Sequence, residues 1–264
     1  MPDERRVLIR ALNQHLEGLR ALGVTALPAP ARLTSSREMR SISGTEPRKS
    51  LCDFSEPNEA AGAQAGVPVA KGASGASNAE RLARLTREVE RCRRCPLYRT
   101  RTHAVVSDGT PEARLVFVGE APGREEDLQG KPFVGAAGQP LTKMIGAMGL
   151  TREDVYICNV LKDRPPGNRT PLPKEMEACL PFLEQQLAIV RPQVICTLGA
   201  VATKALIGPH VSITALRGTM QDYRGTPLVP TFHPAYLLRN PSAKKFAWAD
   251  LKRVKSILEY TAKR

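Results

Sequence analysis

The sequence predicts a three-layer α/β/α sandwich built on a central four-stranded parallel sheet. Four short apolar runs, residues 115–118, 155–161, 194–198 and 228–232, have the length and continuity of strands buried on both faces. Segments of helical length separate them, and strands alternating with helices at such intervals give parallel sheets covered on both sides. The runs also end in glycine or in polar residues, and the carboxyl edge of an open α/β sheet is where ligands bind.

Along the chain, residues 5–23 place Leu8, Leu12, Leu16, Leu19 and Leu22 at three- and four-residue spacing, which predicts one amphipathic helix stopped at Gly23. Such a stripe serves to pack on the main domain rather than to recruit a partner. Residues 24–77 are rich in Pro, Ala, Gly and Ser with few large apolar side chains, too few to offset the entropy of ordering, and read as a linker. The domain proper then runs from 78 to 264. Its first helix, about 79–91, leads into Cys92-Arg93-Arg94-Cys95-Pro96. The first strand, Leu115 to Val118, breaks at Gly119-Glu120-Ala121-Pro122-Gly123, where the glycines allow a tight turn and close backbone approach to a ligand.

Gly135-Ala136-Ala137-Gly138 opens a helix to about Met148, whose first amides can hold a phosphate. The second strand ends near Asn159, and a loop from Lys162 to Leu172 with three prolines hands over to a helix from Pro173, a favoured first helical residue, to Val190. The third strand, Val194 to Leu198, meets Gly199 and a helix to Ile207. The fourth runs into His233-Pro234-Ala235-Tyr236-Leu237-Leu238-Arg239, and a helix from about Lys244 to Ala262 closes the domain.

The 264 residues carry 39 Lys+Arg against 26 Asp+Glu, a formal charge of +13, most of it from Asn78 onward. That balance favours a polyanionic partner, nucleic acid first. No apolar run approaches the roughly 20 residues that span a bilayer, and the start, MPDERRVLIR, lacks a signal-type apolar block, so a soluble, intracellular (cytoplasmic) protein without membrane contact is expected. Its six cysteines then read as metal ligands or buried thiols rather than disulfides.

Taken together, Gly119-Glu120-Ala121-Pro122-Gly123, Gly130-Lys131-Pro132-Phe133-Val134-Gly135, the strand end at Asn159 and His233-Pro234-Ala235-Tyr236-Leu237-Leu238-Arg239 resemble, in order over about residues 79–264, the family 4 (iron-sulfur) uracil-DNA glycosylases. The resemblance implies a monofunctional hydrolase that cuts the N-glycosidic bond of uracil in single- and double-stranded DNA, leaves an abasic site for base excision repair, and works as a monomer. It implies a uracil pocket of Gly119, Glu120, Ala121, Phe133, Asn159 and His233. There Phe133 stacks on the base, Asn159 reads its polar edge, His233 donates to O2, and Glu120 orients water near the sugar. Such chemistry needs a flipped base and stabilisation of the departing anion. Leu237, Leu238 and Arg239 are implied to form a DNA-binding loop with an apolar wedge for the minor groove, although the leucines can equally cap the core.

The family also carries a 4Fe-4S cluster on four cysteines. Cys92, Cys95 and Cys179 match three of them, but the family's Lys-Cys-Arg-Pro-Pro reads Lys162-Asp163-Arg164-Pro165-Pro166 here. Three explanations stand: Asp163 ligates the fourth iron, the cluster is a three-iron form, or Cys158 substitutes, although Cys158 and Cys196 sit in apolar strands as core thiols do. Zinc on the same residues is the alternative metal. A related branch captures uracil-DNA covalently through a histidine in the loop after the second strand; here residues 165–171 contain none, which points to turnover. The rival readings are a catalytically weak DNA-damage-binding module and a redox-responsive DNA-binding protein.

Overall fold

The computed structural model describes residues 75–262. The amphipathic helix expected at 5–23 and the linker expected up to residue 74 lie outside the described residues. Within them, the chain forms α1 (Asn78–Glu90), β1 (Asp108–Gly109), β2 (Leu115–Gly119), α2 (Arg124–Gln129), α3 (Gly138–Ala147) and β3 (Tyr156–Asn159). It continues with α4 (Pro173–Val190), β4 (Val194–Leu198), α5 (Ala200–Ile207), α6 (Ile213–Leu216), β5 (Gln221–Tyr223), β6 (Thr226–Thr231), α7 (Pro234–Arg239) and α8 (Lys244–Ala262).

The sheet has six strands in the order β1-β3-β2-β4-β6-β5, not four. The four predicted strands form its parallel centre, with Val118 opposite Cys158, Phe117 opposite Cys196, and Cys196 opposite Val229. The two additions, β1 on β3 and β5 on β6, are antiparallel edges of two and three residues.

Alternation along the strands divides the core. Val116, Val118 and Ile195 face one layer, where they meet Leu82, Leu85 and Val89 of α1 and Phe182, Leu183 and Leu187 of α4. Leu115, Phe117, Val194, Cys196 and Leu198 face the other, against Leu141 and Ile145 of α3 and Ala247, Leu251 and Val254 of α8. Each fully buried Leu, Val or Phe of this kind contributes about 1.5–3 kcal/mol relative to exposure.

Local signals set the helix ends. Ser77 caps α1 by accepting from the Glu80 amide at 3.2 Å, while the Glu80 carboxylate accepts from the Ser77 amide at 2.7 Å. Pro173 opens α4, as the sequence predicts. Two short helices, α2 and α7, replace what read as turn and loop. In α2 the Glu126 side chain reaches back to the Gly123 amide, and in α7 Pro234 follows a histidine that caps the helix.

Candidate base pocket and cysteine site

The carboxyl ends of the parallel strands open into a cavity of about 440 Å³, large enough for a nucleobase. Its walls include Glu120, which follows β2, Asn159, which ends β3, and His233, which follows β6, together with Phe133, Ala121 and Arg239. Residues far apart in sequence thus converge because β2, β3 and β6, all parallel members of the sheet centre, end on the same side. Gly119 does not itself line the cavity. It stands behind it, where a Cβ would collide with Asn159 Oδ1 and the Phe133 ring, so only glycine lets both approach the strand end.

Asn159 is 1 % exposed, and its Oδ1 has no hydrogen-bond partner. Buried polar atoms are nearly always paired, so an orphan acceptor on a residue that lines a cavity marks a place where a ligand's N–H can complete the bonding. Lys162, itself 1 % exposed, holds the strand end from below: Nζ donates to Asn159 O at 2.5 Å and to Gln186 Oε1 at 2.6 Å. Gln186 Nε2 in turn donates to Val106 O at 3.0 Å and to the Tyr156 hydroxyl at 2.9 Å. Removing the ammonium in Lys162→Met strands two buried acceptors. Stability is expected to fall by about 1–3 kcal/mol, read as a lower denaturant midpoint; an unchanged midpoint would show the network to be dispensable.

Phe133 sits at φ 54°, a left-handed conformation that a bulky residue adopts only when its surroundings impose it. Arg152 imposes it: Nη1 donates to Phe133 O at 3.1 Å and Nη2 to Pro132 O at 2.9 Å, while an ion pair to Asp108 at 2.7 Å fixes the guanidinium. On the far side Glu126, 8 % exposed, accepts from the amides of Val134 at 3.0 Å and Gly135 at 2.8 Å. Sequence reasoning named none of Glu126, Arg152 or Asp108. A glutamate three residues after Gly123 was the one signal available, as a helix-capping pattern.

The Phe133 and His233 rings lie 5.8 Å apart. His233 Nδ1 accepts from the Ala235 amide at 3.2 Å, so the neutral ring carries its proton on Nε2. Burial, reinforced by Arg239, lowers the His233 pKa to about 4. Burial also raises the Glu120 carboxyl above its ordinary value, making its carboxylate a better proton acceptor. The expected wedge residues separate: Leu237 is 2 % exposed and packs in the core, while Leu238 is 49 % exposed. Both lie on α7 and not in a loop.

The cysteines form a second site beside the pocket. Cys95 and Cys179 are buried with Leu97 and Leu161 in one small apolar cluster, and Asp163 and Cys92 are near enough to Cys95 to add to the rise that burial imposes on its thiol. Burial pushes the Cys179 thiol up to about 11 and raises Cys95, so deprotonation here requires a cation. Cys158 and Cys196 are fully buried in β3 and β4, in other parts of the core. Two buried thiols, Cys95 and Cys179, with the half-buried Cys92 near Cys95, are the kind of ligand an iron-sulfur cluster takes. Among the described residues no three His, Cys, Asp or Glu side chains gather closely enough to hold a single metal ion. Asp163 lies near Cys95 and Cys179, but its carboxylate is bound to Arg101.

This architecture defines an α/β protein with a nucleobase-sized pocket at the carboxyl edge of its sheet. Residues 106–252 match the model of the Uracil DNA glycosylase superfamily. A Type-4 uracil-DNA glycosylase of Thermotoga maritima is 50% identical over 169 residues, covering 62% of this chain and 88% of that protein. Its counterpart in Archaeoglobus fulgidus is 42% identical over 168 residues, covering 61% and 84%. A Type-5 uracil-DNA glycosylase of Pyrobaculum aerophilum is 31% identical over 146 residues, covering 49% and 64%. The chain belongs to the uracil-DNA glycosylase superfamily, in its type-4 branch.

Proposed function

We propose that this protein is a monofunctional uracil-DNA glycosylase that hydrolyses the N-glycosidic bond of a flipped-out uracil and leaves an abasic site. The observation that carries the reading is the buried Asn159, its Oδ1 without a partner, lining one cavity with Phe133 and His233. Uracil presents an N3–H donor beside an O4 acceptor, and a carboxamide offers the complementary acceptor and donor. Phe133 stacks on the base. His233 Nε2–H donates to O2, where negative charge develops as the base departs, and its neutral state at pH 7 makes it a donor that need not lose a proton. The raised Glu120 carboxylate accepts a proton from water attacking the sugar carbon.

Leu238 is the side chain exposed to enter the gap left by the flipped base, with Arg239 beside it for phosphate. The net positive charge favours DNA, single- or double-stranded. Among the described residues no helix is long and apolar enough to cross a membrane, in keeping with a soluble, cytoplasmic repair enzyme acting as a monomer. Cys92, Cys95 and Cys179 hold an iron-sulfur cluster that organises the chain beside the pocket. Lys162 provides the connection: it bonds the backbone of Asn159, and while burial lowers its pKa, the neighbouring Cys158 and Cys179 favour its charged form.

A labelled oligonucleotide with one uracil, treated with the protein and then alkali, should break only at that position, with a thymine strand intact. Binding without breakage would replace the enzyme by a damage-binding module.

A further inference from the structure

We propose that the fourth corner of the cysteine site is an open coordination position for an exchangeable ferrous ion, because the residue standing there is already bound to Arg101. This rests on the cluster assigned above and concerns this chain's own departure from the family motif at Asp163.

The Asp163 side chain is 5 % exposed and that of Arg101 13 %. Arg101 Nη1 donates to both carboxylate oxygens, at 2.9 and 3.1 Å. The same guanidinium donates to Val89 O at 3.4 Å and to Glu90 O, the last carbonyls of the helix that delivers Cys92. Arg101 therefore clamps the end of α1 to residue 163 and neutralises the one carboxylate at that corner. Moving Asp163 onto iron would leave a buried guanidinium without its counter-charge, a change that buried ion pairs resist.

Among the described residues no other side chain takes its place. Cys158, on β3, is buried in the core and paired in register with Val118, and Glu175 is committed to Arg169 at 2.5 Å. Among the described residues, three thiolates are left for four irons. An iron held by cluster sulfides without a protein ligand is the one that can leave. Its departure is a redox step: a dicationic four-iron core loses one Fe²⁺ and passes one electron to an oxidant such as ferricyanide or dioxygen. A monocationic three-iron core remains. Ferrous ion with a reductant reverses the step.

The full chain, reconstituted anaerobically with iron and sulfide, is titrated with ferricyanide while a ferrous chelator counts released iron and electron paramagnetic resonance follows the cluster. The wild type is expected to release one iron in four, develop the resonance of a three-iron cluster, and recover on addition of Fe²⁺ and dithionite. Asp163→Cys, which supplies a fourth thiolate, should retain all four irons under the same oxidation. Arg101→Gln, which frees the carboxylate, should release iron more slowly than the wild type. A wild-type cluster that keeps four irons as firmly as Asp163→Cys overturns the open position while leaving the cluster standing. A protein that takes up neither iron nor sulfide overturns both, and uracil cleavage by that same preparation shows whether the glycosylase reading survives.

Discussion

His233→Ala is expected to slow uracil release by about 10²–10³-fold, the loss typical when one donor to a developing oxyanion is removed. The structure makes the donor specific. The Ala235 amide occupies Nδ1 at 3.2 Å, which leaves Nε2 to carry the proton into the cavity. Burial and Arg239 lower the ring's pKa to about 4, so it is neutral throughout the physiological range. Its contribution to catalysis should therefore not titrate near the ordinary histidine value, and an acid limb assigned to this residue belongs near pH 4.

Folding carries the opposite signature. Between about pH 4 and the ordinary value of 6.5 the unfolded chain binds a proton that the folded histidine refuses. Stability from this group is thus fully present above 6.5 and declines as pH falls toward 4. Single-turnover cleavage and DNA affinity, measured together on His233→Ala, test the role. Slow chemistry with retained affinity is the expected result, and a near-wild-type rate would remove His233 from the reaction.

How much of this was legible in the sequence follows from what each residue is bonded to. The central strands could be read because their burial on both faces leaves continuous apolar runs, as at Leu115–Gly119 and Val194–Leu198. The edges could not: Asp108–Gly109 and Gln221–Tyr223 are too short and too polar to show a period. Phe133, Asn159 and His233 were nameable only through a resemblance, since each alone suits a core ring, a strand end or a surface turn. Glu126 and Arg152 act through backbone groups of a loop, and no side-chain pattern announces such bonds. Leu237 and Leu238 are chemically identical neighbours, and only the helical turn they share sends one inward and one to solvent. Asp163 stood at a ligand's position in the motif, but its partner lies 62 residues earlier in the chain.

Asn159→Asp is expected to alter which base the pocket accepts while keeping the shape of the side chain. As a carboxylate the new residue could only accept, and it would lose the donor to O4 of uracil. At a position 1 % exposed, burial favours the neutral acid instead. That acid presents one O–H and one carbonyl, and a rotation of the group places them in either order. Cytosine offers an amino donor at C4 beside an acceptor at N3, the reverse of uracil, so the acid can satisfy cytosine by a rotation of the group, whereas the wild-type carboxamide set to read uracil would have to turn over to do so. Leaving one buried partner unmatched costs about 1–3 kcal/mol, or about 5- to 150-fold in rate. Uracil cleavage should drop by about that factor and the preference for uracil over cytosine should narrow. Single-turnover rates on matched uracil and cytosine oligonucleotides decide the matter: unchanged rates and an unchanged ratio would mean that another group reads the base, and that the unpartnered oxygen of Asn159 serves some purpose other than recognition.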